Sequence, residues 1–294
     1  PTGCRLILVG DPDQLPPVGP GCPLSDILRS GVVPAVRLTE IFRQAQESLI
    51  VMNAHRVNSG VMPDLKTVTS DFFFLRRRTE EAVASTIGDL CRTRLPDRMG
   101  IPPEEIQVLS PTRKGPTGTA SLNLLLQAQL NPPAPDKKEK KWGDFSFREG
   151  DRVMQIRNNY DILWKKTDGT QVGTGIFNGD IGVITEIDLN AELLTVVFDD
   201  RQAEYDFDML RELELAYAMT VHKSQGSEYQ AVVLAAWSCA PNLRTRRVLY
   251  TAITRARKLL VVVGREDILQ TMTENQRQSR RYSGLKLRLQ EKEQ

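Results

Sequence analysis

Residues 246–264 read Arg-Arg-Val-Leu-Tyr-Thr-Ala-Ile-Thr-Arg-Ala-Arg-Lys-Leu-Leu-Val-Val-Val-Gly, and this stretch decides the fold. Residues 246–254 have the pattern of a helix. Residues 259–264 form a short unbroken apolar run closed by Gly264, the pattern of a buried strand. The same strand–helix alternation extends upstream. Strands are expected at 215–220 and 231–235, at 106–110 (stopped by Pro111), at 72–75, at 36–38 and at 5–9 (ended by Gly10). Helical spacing covers 23–30, a long amphipathic segment at 41–59, a segment near 80–94, and 121–130. Such alternation implies a parallel sheet with helices on its faces.

The pattern breaks once. Residues 131–141, NPPAPDKKEKK, are Pro-rich and charged, a linker by composition. Strands are expected after it at 151–156, 182–187 and 193–198, with turn signals at Asn178-Gly179 and Asp199-Asp200. Short strands with frequent turns predict a small β-barrel inserted into the α/β fold.

With 40% hydrophobic residues in 294, the chain can bury a real core and is not disordered. Its 39 basic and 37 acidic residues give a net charge of +2, which by itself points to neither nucleic acid nor membrane. The balance conceals an asymmetry. Residues 178–214 carry 11 acidic and 2 basic side chains, whereas residues 244–294 carry 13 basic and 5 acidic ones. The basic tail suits either an anionic partner or a solvated surface. Cys4, Cys22, Cys91 and Cys239 form no CxxC pair, and the two histidines are His55 and His222. No metal site is expected, and a reduced, cytoplasmic chain is the default. The apolar runs are too short to span a bilayer. The opening Pro-Thr-Gly-Cys-Arg, with no initiator Met, reads as the middle of something larger.

Five segments carry polar chemistry. In GDPDQLPPVG (10–19), Asp11 and Gln14 place an anion and an amide just past a strand end, where α/β sheets bind ligands. An ordinary strand-to-helix loop accounts for them too. In RLTEIFRQ (37–44), Arg43 sits beside Ile41 and Phe42, as a phosphate fork or as a helix-surface cation. SPTRKGPTGT (110–119) suits a backbone phosphate or a capped loop. It is not a phosphate loop, because no Gly-Lys pair occurs anywhere in the chain. In TVHKSQGSEY (220–229), hydroxyls, His222 and Lys223 suit phosphates, while Gly226 allows close backbone approach. In YTAITRARK (250–258), Arg255 is either an arginine finger or a cation at a helix carboxyl end. Residues 193–200, an apolar strand followed by two acids, resemble a magnesium-holding segment, but a hairpin turn explains them better.

Taken in order, GDPDQLPPVG, LTEIFRQ, SPTRKGPTGT, TVHKSQGSEY and YTAITRAR resemble the superfamily 1 DNA helicases, and most closely their RecD-like members. Helicase regions of conjugative relaxases are related. The resemblance covers nearly the whole chain, including residues 280–285. It implies RecA-like lobes that clamp ATP between them, with single-stranded DNA across their tops and 5′ to 3′ movement. Residues 1–35 would be the remnant of the first lobe, and residues 36–144 and 214–294 the second lobe and basic tail. Residues 145–213 would be an SH3-like barrel touching the single strand.

Asp11, Gln14, Arg43, Gly226, Glu228 and Arg255 would line the nucleotide, with Gln14, Arg43 and Arg255 acting on its terminal phosphate. Thr112, Thr220, His222 and Lys223 would touch the DNA backbone. ATP and Mg²⁺ are the implied cofactors, single-stranded DNA the implied partner, and no membrane is expected. The phosphate loop and the metal-binding acids fall upstream of Arg5 in this family, so the chain is expected to be inactive alone. A non-enzymatic single-strand-binding module and a relaxase-linked helicase region are the alternatives.

Overall fold

The computed structural model describes residues 3–17, 19, 21–38, 47–67, 71–276 and 283–291. Its organising feature is a five-stranded parallel sheet built from β1 (Phe72–Arg76), β2 (Ile106–Ser110), β12 (Ala218–Thr220), β13 (Tyr229–Ala236) and β14 (Ala256–Gly264). The strand order is β1-β14-β13-β2-β12, so the two strands richest in Val, Leu and Ala lie in the middle. Leu260 stands between Phe72 on one side and Val232 on the other, and Val232 is also paired with Gln107.

Alternation along each strand divides the core into two layers, because successive side chains point to opposite faces. Leu259, Val261, Val263, Ala231 and Val233 pack with Val83 and Ile87 of α3 (Glu80–Asp89) and with Leu122 and Leu126 of α4 (Thr119–Leu130). Leu260, Val262, Val232 and Leu234 pack on the other face with α2 (Leu49–Asn58), α5 (Arg246–Ile253) and α6 (Glu266–Glu274). Both faces being covered explains why these strands read as continuous apolar runs. Hydroxyl caps start three of the helices: Ser48, Thr79 and Thr245 accept from Val51, Ala82 and Val248 N–H respectively.

Between β2 and β12 the chain builds a second, antiparallel sheet of seven strands, ordered β11-β5-β8-β9-β10-β6-β7. They are β5 (Arg152–Gln155), β6 (Asn159–Lys166), β7 (Val172–Ile176), β8 (Ile181–Asp188), β9 (Leu193–Phe198), β10 (Arg201–Asp206) and β11 (Leu213–Leu215). The linker by composition ends in a hairpin, β3 (Glu139–Trp142) with β4 (Phe145–Arg148). β9 and β10 turn at Asp199, whose φ of 52° is left-handed. The two acids after β9 therefore belong to a hairpin turn. The fold class is α/β with an inserted antiparallel module.

Three expectations need correction. Residues 5–9 form no strand, and Leu6, Ile7 and Val9 are 81%, 83% and 94% exposed. A strand needs a neighbour to complete its ladder, and none of the described strands lies beside this run. Residues 36–38 likewise form no strand and are exposed. Residues 215–220 are not one strand but the junction of two. Leu215 ends β11, paired antiparallel with β5, while Ala218 begins β12, paired parallel with β2. Ala216 and Tyr217 carry the chain from one sheet to the other.

A buried polar cluster joins the two sheets. Asp151, fully buried just before β5, accepts four hydrogen bonds. Asn131 Nδ2 (2.8 Å) and the Tyr217 hydroxyl (2.9 Å) reach one oxygen. Gln127 Nε2 (2.6 Å) and the Arg148 N–H (2.7 Å) reach the other. The donors come from α4, the segment after it, the hairpin and the inter-sheet junction. One carboxylate thus fixes the antiparallel module on the lobe.

The α7 helix (Leu285–Glu291) lies against α1 (Pro23–Ser30), and Gln290 Nε2 donates to the Ser30 carbonyl.

Candidate functional site

Helix α5 arranges the site through its periodicity. Arg247, Tyr250 and Thr251 are three and four positions apart, so they share one face, and Arg255 follows just past the helix end. Residues 11–15 lie along that face, and every one of them is held. Tyr250 O–H donates to Asp11 Oδ2 (2.8 Å) and Arg247 to the Pro12 carbonyl (3.0 Å). Asn58 Nδ2 of α2 donates to the Asp13 carboxylate (3.0 Å). The Leu15 N–H donates to Thr251 Oγ1 (2.9 Å), and Gln225 Nε2 reaches the Leu15 carbonyl (2.5 Å).

Gln14 is held at both ends of its amide. Its Nε2 donates to Asp11 Oδ2 (3.2 Å), and its Oε1 accepts from Arg255 (3.2 Å). Arg255 is only 5% exposed. The rest of its guanidinium donates to the Ser227 carbonyl (2.8 Å), the Thr251 carbonyl (3.2 Å) and Thr254 Oγ1 (3.2 Å). All of these acceptors are neutral, and among the described residues no carboxylate lies within ion-pair distance of Arg255. Burying a cation against neutral acceptors alone is costly, and an anion is the complement that offsets it. Burial and the hydrogen bond to Asp11 both push the Tyr250 phenol well above its ordinary pKa, so it remains a donor.

A turn over residues 221–228 runs from the end of β12 to the start of β13 and links this cluster to the carboxyl edge of the sheet. Thr220 Oγ1 accepts from the Lys223 N–H (3.3 Å), and the Val221 carbonyl from the Ser224 hydroxyl (2.9 Å). Gly226 has φ of +83° with open space around it, so conformation rather than room calls for glycine there. Gln225 and Ser227 on either side of Gly226 join the Asp11–Arg255 cluster. Glu228 does not. It pairs with Arg257 at 3.0 Å on an exposed surface.

At the carboxyl edge, Thr220 ends β12 and Thr112 lies two residues past the end of the neighbouring β2, the two strands being paired through Ser110 and Thr220. Lys223 Nζ and Arg113 converge on opposite oxygens of Glu214, Arg113 at 3.4 Å. His222 is half-buried in the same turn. The ten expected site residues thus divide. Asp11, Gln14 and Arg255 meet directly, Gly226 borders them and Glu228 faces elsewhere. Thr112, Thr220, His222 and Lys223 gather at the other end of the turn. Arg43 lies outside the described residues.

Sequence reasoning missed Arg247, Tyr250, Thr251, Asn58, Gln225, Arg113 and Glu214. For the first three, the helical face through residues 247–251 was an available signal. Among the described residues no group of three or more His, Cys, Asp or Glu could hold a metal, and no helix is long and apolar enough to cross a membrane.

Three family models match the chain. Residues 1–71 match an AAA domain, residues 122–198 the SH3 domain of ATP-dependent RecD-like DNA helicases, and residues 215–263 the UvrD-like helicase C-terminal domain. The chain is 34% identical over 280 residues to the ATP-dependent RecD2 DNA helicase of Deinococcus radiodurans, across 95% of this chain and 35% of that one. It is 29% identical over 306 residues to the RecBCD enzyme subunit RecD of Mycolicibacterium smegmatis, across 97% of this chain and 49% of that one. It also overlays the crystal structure of Pif1 helicase from Bacteroides in complex with ADP-AlF3 and ssDNA. That match has a TM-score of 0.44 and 18% identity, covering 81% and 53% of the two chains. The chain spans 35% and 49% of the length of these two curated relatives.

Proposed function

The chain belongs to the RecD-like helicases of superfamily 1, and from that premise we propose that it forms part of a motor that hydrolyses ATP to move 5′ to 3′ along single-stranded DNA. The observation that carries the reading is the Gln14–Arg255 contact. A nearly buried guanidinium, satisfied only by neutral groups, touches an amide across the seam between residues 11–15 and α5. A terminal phosphate is the anion this pair suits. Arg255 stabilises charge that builds on the transferring phosphoryl group, while the Gln14 amide orients the attacking water. Arg43 completes the set in this reading, and Gly226 lets the turn approach the triphosphate. Glu228 would reach the nucleotide only by leaving Arg257.

Mg²⁺ is needed to neutralise the phosphates. Asp11, the carboxylate in contact with Gln14, already accepts from the Asp13 N–H, Gln14 and Tyr250, which leaves it poorly suited to a metal. The 294 residues contain no Gly-Lys pair and hence no phosphate loop. We therefore expect this chain to bind DNA but not to turn over ATP alone.

Thr112, Thr220, His222 and Lys223 form the DNA edge in this reading, with residues 145–213 as a further single-strand contact. Phosphate contacts of this kind carry no base sequence, which suits a motor that steps over any strand. The turn from Lys223 to Gln225 then connects DNA contact to the Gln14–Arg255 seam within a few residues.

Lys223→Ala in the complete protein tests the DNA edge. It should weaken single-strand binding uniformly across sequences and reduce the slope of log K against log salt by about one, the effect of one lost phosphate contact. An unchanged slope in a fluorescence titration over several salt concentrations places Lys223 off the DNA.

A further inference from the structure

A water-positioning amide must present its oxygen and nitrogen in a defined sense, and a glutamine side chain has three rotatable bonds with which to lose that sense. Here the Gln14 amide is oriented from its nitrogen end by a single atom, Asp11 Oδ2 at 3.2 Å, which leaves Oε1 toward Arg255. Asp11 is in turn held from the opposite side. Its Oδ2 also accepts from the Tyr250 hydroxyl at 2.8 Å, and its Oδ1 from the Asp13 N–H at 2.9 Å. The phenol belongs to α5, and the carboxylate lies 239 positions earlier in the chain. The hydrogen-bond chain therefore starts on one side of the seam, crosses it to Asp11, passes to Gln14 and returns to Arg255.

We propose that Tyr250 is a positioning residue for ATP hydrolysis, acting through Asp11 to hold the Gln14 amide in register with Arg255. This rests on the phosphate-sensing reading of Gln14 and Arg255 given above. Tyr250 acts through Asp11 rather than on the reacting atoms. Its hydroxyl fixes the rotamer of Asp11, and Asp11 fixes which end of the amide faces the reacting group. Misplacement of a positioned group by a fraction of an ångström to an ångström is enough to slow a step severely without changing what is bound. The phenol bond needs no phosphate to form, so it orders Gln14 before the nucleotide arrives.

The test uses the complete protein with Tyr250→Phe, which removes one oxygen and keeps the ring. The proposal predicts a fall in kcat for DNA-stimulated ATP hydrolysis of about tenfold, with KM for ATP and Kd for single-stranded DNA changed less than twofold, the signature of an interaction that matters at the transition state. A double-mutant cycle separates positioning from structure. With Asp11→Ala already present, adding Tyr250→Phe should cost no further activity, because the two act in series. Independent, additive losses, or a loss that follows a lowered melting temperature, would overturn the relay. An unchanged kcat in Tyr250→Phe while Arg255→Ala has lost turnover also overturns it. Retained turnover in Arg255→Ala would instead defeat the underlying reading.

Discussion

Replacing Arg255 by Ala in the complete protein is expected to lower DNA-stimulated ATP turnover about a thousandfold or more while ATP binding is largely retained. The size follows from the position of the guanidinium. It is 5% exposed, so water screens it little, and it contacts Gln14 at 3.2 Å across the seam. In the proposed reading, charge building on a transferring phosphoryl group would be met there by a cation that needs no reorganisation. A thousandfold corresponds to about 4 kcal/mol of lost transition-state stabilisation. Binding survives because the rest of the triphosphate is held elsewhere in this class of motor. Arg255→Lys should recover little, since an ammonium cannot reproduce the fork that reaches Ser227, Thr251 and Gln14 together. Single-turnover hydrolysis alongside a nucleotide-binding titration measures both quantities. Turnover within tenfold of the unmodified protein removes Arg255 from the site.

The second large effect is on stability. Asp151→Asn is expected to cost about 3 kcal/mol and to lower the melting temperature by several degrees. Each carboxylate oxygen of Asp151 accepts two hydrogen bonds, from Asn131 and Tyr217 on one side and from Gln127 and the Arg148 N–H on the other. An asparagine amide must turn its NH₂ toward one of these pairs in either orientation. Two donors would then face a donor in a site with no exposure to water. Burial raises the Asp151 pKa, and the four donors act against that rise, so the side chain tolerates burial only through this set of partners. Thermal and urea unfolding of the two proteins side by side measures the difference. A loss under 1 kcal/mol would mean that the module is held on the lobe by other contacts.

The parts of the fold legible in the sequence are those where burial is two-sided. β13 and β14 contain unbroken apolar runs, Ala231–Ala236 and Leu259–Val263, because helices cover both faces. β6 and β7 escaped notice because NYDILWKK and VGTGI follow no simple alternation. Leu163 is 72% exposed beside a buried Ile162, and two glycines occupy the short β7. Residues 5–9 misled for the opposite reason. An apolar run signals a strand only where neighbours complete its ladder, and composition carries no information about neighbours.

The candidate site divides in the same way. Asp11 and Gln14 stand out as polar residues after an apolar run and Arg255 as a cation at a helix end, and the structure brings them together. Their partners were hidden because the contacts are long-range, spanning 239 positions between Asp11 and Tyr250 and 236 between Leu15 and Thr251. Tyr250 opens the 250–258 segment with no partner legible along the chain, and only the docking of residues 11–15 on α5 gives its hydroxyl one. Glu228 shows the converse. The residue type suits a nucleotide site, yet an arginine two positions past Arg255 holds it at the surface.

The most direct test is DNA-stimulated ATP hydrolysis by the complete open reading frame, with this 294-residue chain assayed beside it. The motor account predicts turnover that rises with single-stranded DNA in the complete protein and none in the chain alone, although the chain still binds the strand. Turnover by the 294 residues alone, or none by the complete protein despite DNA binding, would contradict it.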